Sequence, residues 1–200
     1  MSICNLHFLN TFFYFPEKQV NWKSKILSLQ ICRHFDRKNG ENMDRHPMRR
    51  SLKEITDPLT IEQLLQKASV CHLGLSDNGQ PYVVPMNYAY AGKSFYLHCA
   101  MEGRKIDILS QNNRVCVEVV IDYALESADS PCKWTTHFTS VIGFGRAFIL
   151  EDPIEKKAAL NKLMEAYTGT PEHVFSPQAL KRVCLIRVDT DDIRAKASNG

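Results

Sequence analysis

The feature that most constrains this chain is a succession of short β-rich segments, closely joined by turn signals, that fills most of residues 70–188. Turns such as Ser76-Asp77-Asn78-Gly79 are tight, so neighbouring strands are predicted to follow one another like hairpins. Helices are inserted between the strands rather than alternating strictly with them. This order predicts a mainly β fold with peripheral helices, built around an antiparallel barrel. The predicted strands are 70–75, 82–90, 94–99, 115–121, 136–150 and 183–188.

The predicted helices are placed by their start signals. Asp57-Pro58 precedes the first helix, which Thr60 is predicted to cap. Asp152-Pro153 begins the clearest helix, which is predicted to run to about Tyr167, because proline is tolerated in a first turn. Shorter helices are predicted at 103–109 and near 177–182.

Two patterns of glycine and proline interrupt the strands. Pro81 and Pro85 imply an edge or a bulge, because proline cannot donate to a strand ladder. Gly143-Phe144-Gly145 lacks the third glycine and the following helix of a dinucleotide-binding loop. These glycines are predicted to let a strand bend so that the barrel closes.

Composition excludes several classes of protein. A chain of 200 residues with 44% hydrophobic and 24% charged residues is globular and suited to one domain. Its net charge of +3 resides wholly in residues 1–42, so no basic face for nucleic acid is expected in the remainder. No apolar run approaches the roughly 20 residues of a membrane helix. The 7 cysteines form no metal-binding spacing, which favours reduced thiols in a cytoplasmic protein without a metal.

Residues 1–42 differ from the rest of the chain. They show no clean strand or helix period, and the pattern changes abruptly at Met43. Gly40-Glu41 back-translates to codons that can contain a purine-rich ribosome-binding sequence just ahead of Met43. We therefore expect residues 1–42 to be a translated leader and 43–200 to form the domain. The alternative is a real extension in which residues 6–15 pack on the domain.

One segment, from Phe95 to Asp107, combines a strand, a short loop and the start of a helix. Free backbone N–H groups at a helix start bind phosphate well, and Gly103 permits close approach of the backbone. Arg104 and Lys105 would add positive charge. The pattern fits an anion site or, equally, a solvated basic pair at a helix start.

Three segments in this order resemble the Nim-type, nitroimidazole-resistance-related proteins of the pyridoxamine 5'-phosphate oxidase-like flavin split barrel family. They are Pro81–Tyr88, Tyr96–Lys105 and Ser140–Ala147, and the resemblance covers roughly residues 46–196. It implies a six-stranded antiparallel split barrel that forms a homodimer. FMN, with FAD as the alternative, would lie in a groove shared by the two subunits. The C-terminal Trp-Arg-Leu-type segment of the true oxidases is missing, so oxidation of vitamin B6 is not expected.

The resemblance also assigns roles to individual residues. One strand segment would lie along the isoalloxazine ring, and Lys105 with the neighbouring backbone would hold the phosphate. His98 would be the catalytic histidine, and Trp134 of one subunit would reach the flavin of the other. Other interpretations stay open: His98 as a histidine of the barrel wall, and Ser140 or Trp134 as ordinary packing residues. The implied cofactor-binding residues are Val84, Pro85, Met86, Asn87, His98, Gly103, Arg104, Lys105, Ile106 and Ser140.

The leading hypothesis for function is a flavin-dependent oxidoreductase that reduces nitroaromatic or similar small electron acceptors. In such an enzyme the flavin transfers the electrons, and the protein supplies position and electrostatics. The alternatives are a non-catalytic flavin-binding module for storage, sensing or partner assembly, and a split barrel that has lost its ligand. The same pocket serves the first two, so the residues alone do not separate them.

Overall fold

The structure, a computed structural model, describes residues 48–198. The hypothesis about residues 1–42 therefore concerns residues outside the described range. The described strands are β1 Glu54–Ile55, β2 Val70–Asp77, β3 Gln80–Ala91, β4 Ser94–Cys99, β5 Arg114–Glu126, β6 Thr135–Leu150 and β7 Cys184–Ser198. The described helices are α1 Pro58–Leu65, α2 Arg104–Gln111, α3 Pro153–Thr168 and α4 Pro177–Arg182, with short 3₁₀ turns at Ser51–Lys53 and Pro131–Lys133.

Six of these strands, β2 to β7, close into an antiparallel barrel. Hydrogen bonding connects them in the order β7-β4-β3-β2-β5-β6, and β6 pairs again with β7. The two-residue strand β1 adds to β7 opposite Ala195 and Lys196. The prediction of a six-stranded antiparallel barrel with peripheral helices is confirmed, and β1 is an addition that the sequence pattern did not indicate. None of the helices in residues 48–198 is long and apolar enough to span a membrane.

Gly145 makes the closure between β6 and β7 possible. A Cβ atom at this position would lie 2.0 Å from the backbone oxygen of Asp189, so no larger residue fits without moving the backbone. The register between the two strands shifts between Phe144 and Gly145. The close approach and the register shift support the predicted role in barrel closure for Gly145, while the same role for Gly143 stays a prediction.

The structure corrects several predicted boundaries; β5, for example, continues to Glu126 instead of ending at Ile121. Asp57, not Thr60, caps α1: its carboxylate accepts a hydrogen bond from the Thr60 backbone N–H at 2.8 Å. Pro58 occupies the first helical position, where its fixed φ fits and its missing N–H is not needed. The last strand continues to Ser198 instead of ending at Val188, because β6 supplies a pairing partner along this whole length.

The barrel interior is filled by apolar side chains that alternate along the strands. Fully buried examples are Leu73, Phe95, Leu97, Val117 and Val119. The Tyr88 hydroxyl donates a 2.6 Å hydrogen bond to the Leu65 carbonyl, which ties β3 to the end of α1. On the outside, Ala159 and Leu163 of α3 pack against Ala89 and Leu185. The helices therefore cover the barrel and stabilise it from its periphery.

Candidate functional site

The barrel is split between β3 and β4. These strands pair only from Tyr88 opposite Leu97 to Ala91 opposite Ser94. Within the described residues, the preceding segment Gln80–Asn87 pairs along one edge alone, with β2. Strand β4 ends at Cys99 and the chain turns away into α2, so the other edge of Gln80–Asn87 stays open.

The open edge explains the two prolines of β3. The Tyr88 N–H donates to the Ser69 carbonyl on the β2 side, and backbone groups alternate in direction along an antiparallel strand. Pro85 and Pro81 therefore direct their backbone polar groups towards the open edge, and the Asn87 N–H points the same way. A missing proline N–H breaks no ladder hydrogen bond there. The predicted edge at Pro81 and Pro85 is confirmed.

Four β3 residues were predicted to lie along a flavin ring, and their exposure alternates. Pro85 and Asn87 are exposed, Val84 is half-buried and Met86 is buried in the core. The Asn87 side-chain amide donates to the Ser69 carbonyl at 3.3 Å, so it also supports the start of β2. The exposed face of this segment thus consists of a rigid proline and an amide.

The N-terminus of α2 begins at a glycine. Gly103 precedes the helix with φ of +119°, a conformation that L side chains rarely adopt, and no side chain caps the helix there. Its carbonyl accepts the first helical hydrogen bond, from the Ile106 N–H at 2.8 Å. The first-turn N–H groups of Arg104 and Lys105 precede that first donor, so they have no partner within the helix. The site therefore offers backbone donors to an anion.

The two cations of this turn have different surroundings. The Arg104 guanidinium lies 3.2 Å from the Asp77 carboxylate and 4.6 Å from the centre of the Tyr82 ring. It fastens α2 to the β2–β3 hairpin. The half-buried Lys105 has no carboxylate within salt-bridge distance among residues 48–198. Lys105 is consequently the cation of this turn that is available to a ligand.

His98 lies beside this turn, at the penultimate position of β4. It is opposite Leu185 of β7, while on its other side the pairing with β3 has already ended. Partial burial lowers the pKa of the imidazole below its ordinary value, and the charge of Lys105 lowers it further. At neutral pH the ring is therefore uncharged, and Lys105 is near enough to act on it.

One chain does not bring all the predicted site residues together. Ser140 lies on β6, opposite Val120 and Lys196, so β2 and β5 separate it from β3. Three strand spacings place it about 14 Å from β3 around the sheet. The Trp134 indole donates to the Ala128 carbonyl at 2.8 Å at the tip of the β5–β6 hairpin. Roles for Ser140 and Trp134 beside a flavin need a second subunit and stay predictions.

The sequence analysis missed a histidine–carboxylate pair. His72 Nδ1 lies 2.9 Å from Glu118 Oε2, and His72 stands directly opposite Pro85 in the β2–β3 ladder. Both strands turn these side chains to the outside of the barrel, next to the exposed face of β3. No local motif marks either residue, and only the strand register would have revealed their neighbourhood.

A groove of about 540 Å³ lies elsewhere, between the loop after α1, the end of β3 and α3. Its lining includes Ser69, Tyr88, Tyr90, Lys162 and Glu165, and none of the predicted site residues. The candidate site is accordingly not this groove. It is the place where β3 and β4 separate, bounded by the open edge of Gln80–Asn87 and the start of α2, and it is called the open seam below.

Comparison with known proteins agrees with this geometry. The family model described as pyridoxamine 5'-phosphate oxidase matches residues 57–197. The chain belongs to the pyridoxamine 5'-phosphate oxidase family. The resemblance drawn from the sequence is thereby confirmed, and the matched range contains every predicted site residue.

Several solved structures have the same fold. A protein from Bacteroides thetaiotaomicron, named for 5-nitroimidazole antibiotic resistance, is 33% identical with a TM-score of 0.65, over 72% of this chain and 86% of that one. The flavocytochrome Anf3 of Azotobacter vinelandii is 22% identical with a TM-score of 0.68, over 78% and 73% of the two chains. An FAD- and heme-binding protein of Mycobacterium smegmatis is 17% identical with a TM-score of 0.67, over 74% of each chain. A search of curated proteins finds no significant match.

Proposed function

We propose that this protein binds FMN in the open seam and is a flavin-dependent oxidoreductase that reduces small nitroaromatic electron acceptors. The observation that carries the proposal is the half-buried Lys105 without an acidic partner among residues 48–198, beside the uncapped start of α2. It is supported by the relative named for 5-nitroimidazole resistance and by the Mycobacterium smegmatis protein described as binding FAD.

The phosphate would be held at the start of α2. The N–H groups of Arg104 and Lys105, together with the helix dipole, favour an anion there. The Lys105 ammonium adds a charge-assisted contact. Gly103 leaves open space where a side chain would otherwise stand, so a phosphate reaches the backbone directly. These groups fit a phosphate ester, and FAD fits the same turn through its diphosphate.

The ring would lie against the open edge of β3. The Asn87 N–H and the Pro85 carbonyl point to that edge, which supplies both a donor and an acceptor. The pyrimidine edge of an isoalloxazine ring carries the complementary N–H and carbonyl groups. Val84 and Met86 turn their backbone groups to β2, so they would act through side-chain packing instead.

Bound flavin supplies the electron transfer. His98 would hold the acceptor by a hydrogen bond from the N–H of its imidazole, which burial and Lys105 keep uncharged at neutral pH. Lys105, once paired with the flavin phosphate, would lower the imidazole pKa less strongly, so His98 would carry a proton more readily near neutral pH. The outer pair His72 and Glu118 lies within the same exposed surface and would border the acceptor.

We also propose that the protein is a cytoplasmic homodimer. Large apolar side chains are exposed on the outside of the β5–β6 hairpin, where a second copy would cover them. Ser140 and Trp134 belong to this hairpin, so a second copy would carry them towards the flavin of the first.

A charged substitution such as Leu125→Glu, at a residue 57% exposed, should yield monomers in sedimentation experiments. The exposed apolar residues are Val120, Tyr123, Leu125, Trp134 and Ile142.

The test is the absorbance spectrum of the freshly purified protein, followed by identification of the released chromophore and an assay with nitroimidazole and a chemical reductant. Yellow protein that releases FMN and consumes nitroimidazole supports the proposal. Yellow protein without turnover favours a non-catalytic flavin-binding module. Colourless protein that does not bind added FMN or FAD overturns the cofactor assignment.

A further inference from the structure

Two cysteines face each other where β4 ends and β7 begins. Cys99, the last residue of β4, is the direct ladder partner of Cys184, the first residue of β7. Directly opposed residues of an antiparallel pair have Cα atoms about 4.5–5.5 Å apart and side chains on the same face. Disulfides form at Cα separations of about 4.4–6.8 Å. The backbone is therefore already placed for a disulfide.

The two thiols are not equivalent. Cys99 is half-buried at the end of the barrel, whereas Cys184 is buried with 3% of its surface exposed. The thiol of Cys184 donates a hydrogen bond to Cys99, and this bond together with Lys105 lowers the pKa of Cys99 to about 7. The same hydrogen bond and burial raise the pKa of Cys184. An oxidant would accordingly meet the more accessible, more ionised Cys99 first.

Two other cysteines of the described residues provide an internal comparison. Cys71 is opposite Met86 and fully buried, and burial raises its pKa to about 12. Cys116 is half-buried like Cys99, but it stands opposite Gly74 and Phe144, and burial raises its pKa. Within residues 48–198 only Cys99 and Cys184 have a second thiol as a ladder partner.

We propose that Cys99 and Cys184 form a peroxide-sensitive dithiol, in which Cys99 is oxidised first and Cys184 resolves it as a disulfide. The Cys99 thiolate sulfur attacks one oxygen of hydrogen peroxide; the O–O bond breaks, and a sulfenic acid and hydroxide form. The Cys184 sulfur then attacks the Cys99 sulfur, the S–O bond breaks, and water leaves. Two thiols lose two electrons and two protons, and one peroxide becomes two waters.

The disulfide would form next to the turn that leads to the proposed phosphate site. Cys99 directly precedes the turn 100–103 that leads to the start of α2. A disulfide would fasten this end of β4 to β7 and remove a negative charge from the surroundings of Lys105. The proposal itself does not depend on a bound flavin, because both thiols and the oxidant are defined without one.

The experiment treats the purified full-length protein with hydrogen peroxide in the absence of reductant and maps thiols by alkylation and peptide mass spectrometry. We expect a Cys99–Cys184 cross-linked peptide that dithiothreitol reverses, with Cys99 losing its thiol at least about tenfold faster than Cys116. In Cys184→Ser the cross-link should vanish, and a dimedone adduct should collect on Cys99. Cys116→Ser is the matched control and should still form the cross-link.

Loss of the Cys99 thiol no faster than that of Cys116 overturns the proposal. So does peroxide consumption that leaves Cys99 as a stable sulfenic or sulfinic acid while Cys184 is intact. Should Cys184→Ser unfold, as judged by circular dichroism, Cys184→Ala retains the apolar character of the buried position and gives the same readout.

Discussion

The barrel has two seams, and they differ in how completely they close. Strands β6 and β7 pair from Phe138 to Leu150 without an open stretch. Strands β3 and β4 pair only from Tyr88 to Ala91, and the preceding part of β3, Gln80–Asn87, has an open edge. The first seam satisfies its backbone groups within the sheet. The second leaves backbone groups, His98 and Lys105 facing outwards.

The closed seam therefore contributes to the stability of the sheet, whereas the open seam of the same sheet is available for ligand binding. At the closed seam, the strands approach so closely that a single Cβ at Gly145 would collide with backbone. At the open seam, proline is tolerated at 81 and 85 because, within residues 48–198, no strand pairs with that edge of β3. Substitutions at the two seams should therefore affect different measurements: the free energy of unfolding at one, and flavin affinity at the other.

The largest effect is expected from Gly145→Ala at the closed seam. Its Cβ would lie 2.0 Å from the Asp189 oxygen, and relieving this contact requires the two strands to move apart. We expect a loss of about 3 kcal/mol or more in the free energy of unfolding. The control is Gly74→Ala, whose Cβ would lie 3.4 Å from the nearest atom and should change stability by less than about 1 kcal/mol. Equal urea midpoints for the two variants would contradict the assignment of Gly145 to closure.

At the open seam, Lys105→Ala should weaken FMN binding without a comparable loss of stability. Removal of one charge-assisted contact costs about 1.5–3 kcal/mol, which is roughly a ten- to hundredfold rise in Kd. Arg104→Ala is the matched control, because its guanidinium is engaged by Asp77 and Tyr82. Fluorescence titration with FMN measures both. A larger loss of affinity in Arg104→Ala than in Lys105→Ala would exchange the roles of the two cations.

Local sequence signals predicted part of each seam. Glycines in Gly143-Phe144-Gly145 and the bounds of β4 follow from patterns a few residues long. The second half of β7 was not predicted, because the polar run Thr190-Asp191-Asp192 gives no local strand signal. The strand conformation of this half comes from long-range pairing with β6. The ion pairs of Arg104 with Asp77 and of His72 with Glu118 join distant segments, so only the three-dimensional register reveals them.

An intermediate effect is expected where the open seam begins, at Tyr88. Its hydroxyl donates to the buried Leu65 carbonyl at 2.6 Å, and Tyr88→Phe leaves that carbonyl without its donor. The free energy of unfolding should fall by about 1–2 kcal/mol. Tyr82→Phe is the control, because the Tyr82 hydroxyl makes no hydrogen bond with the described residues and its ring contact with Arg104 survives. Identical denaturation curves for Tyr88→Phe and the unaltered protein would show that the hydrogen bond contributes nothing.

The smallest effect concerns pH and His98. Its pKa in the folded protein lies below the ordinary value of 6.5, chiefly because of burial and secondly because of Lys105. The unfolded chain therefore binds a proton first as the pH falls, so the free energy of unfolding should decrease below about pH 6.5 until the folded imidazole is also protonated. His98→Asn should flatten this part of the curve. Lys105→Ala should flatten it only in part, because burial remains. Parallel curves for His98→Asn and the unaltered protein would show that His98 titrates alike in both states, and a full loss of slope in Lys105→Ala would make charge, not burial, the dominant cause.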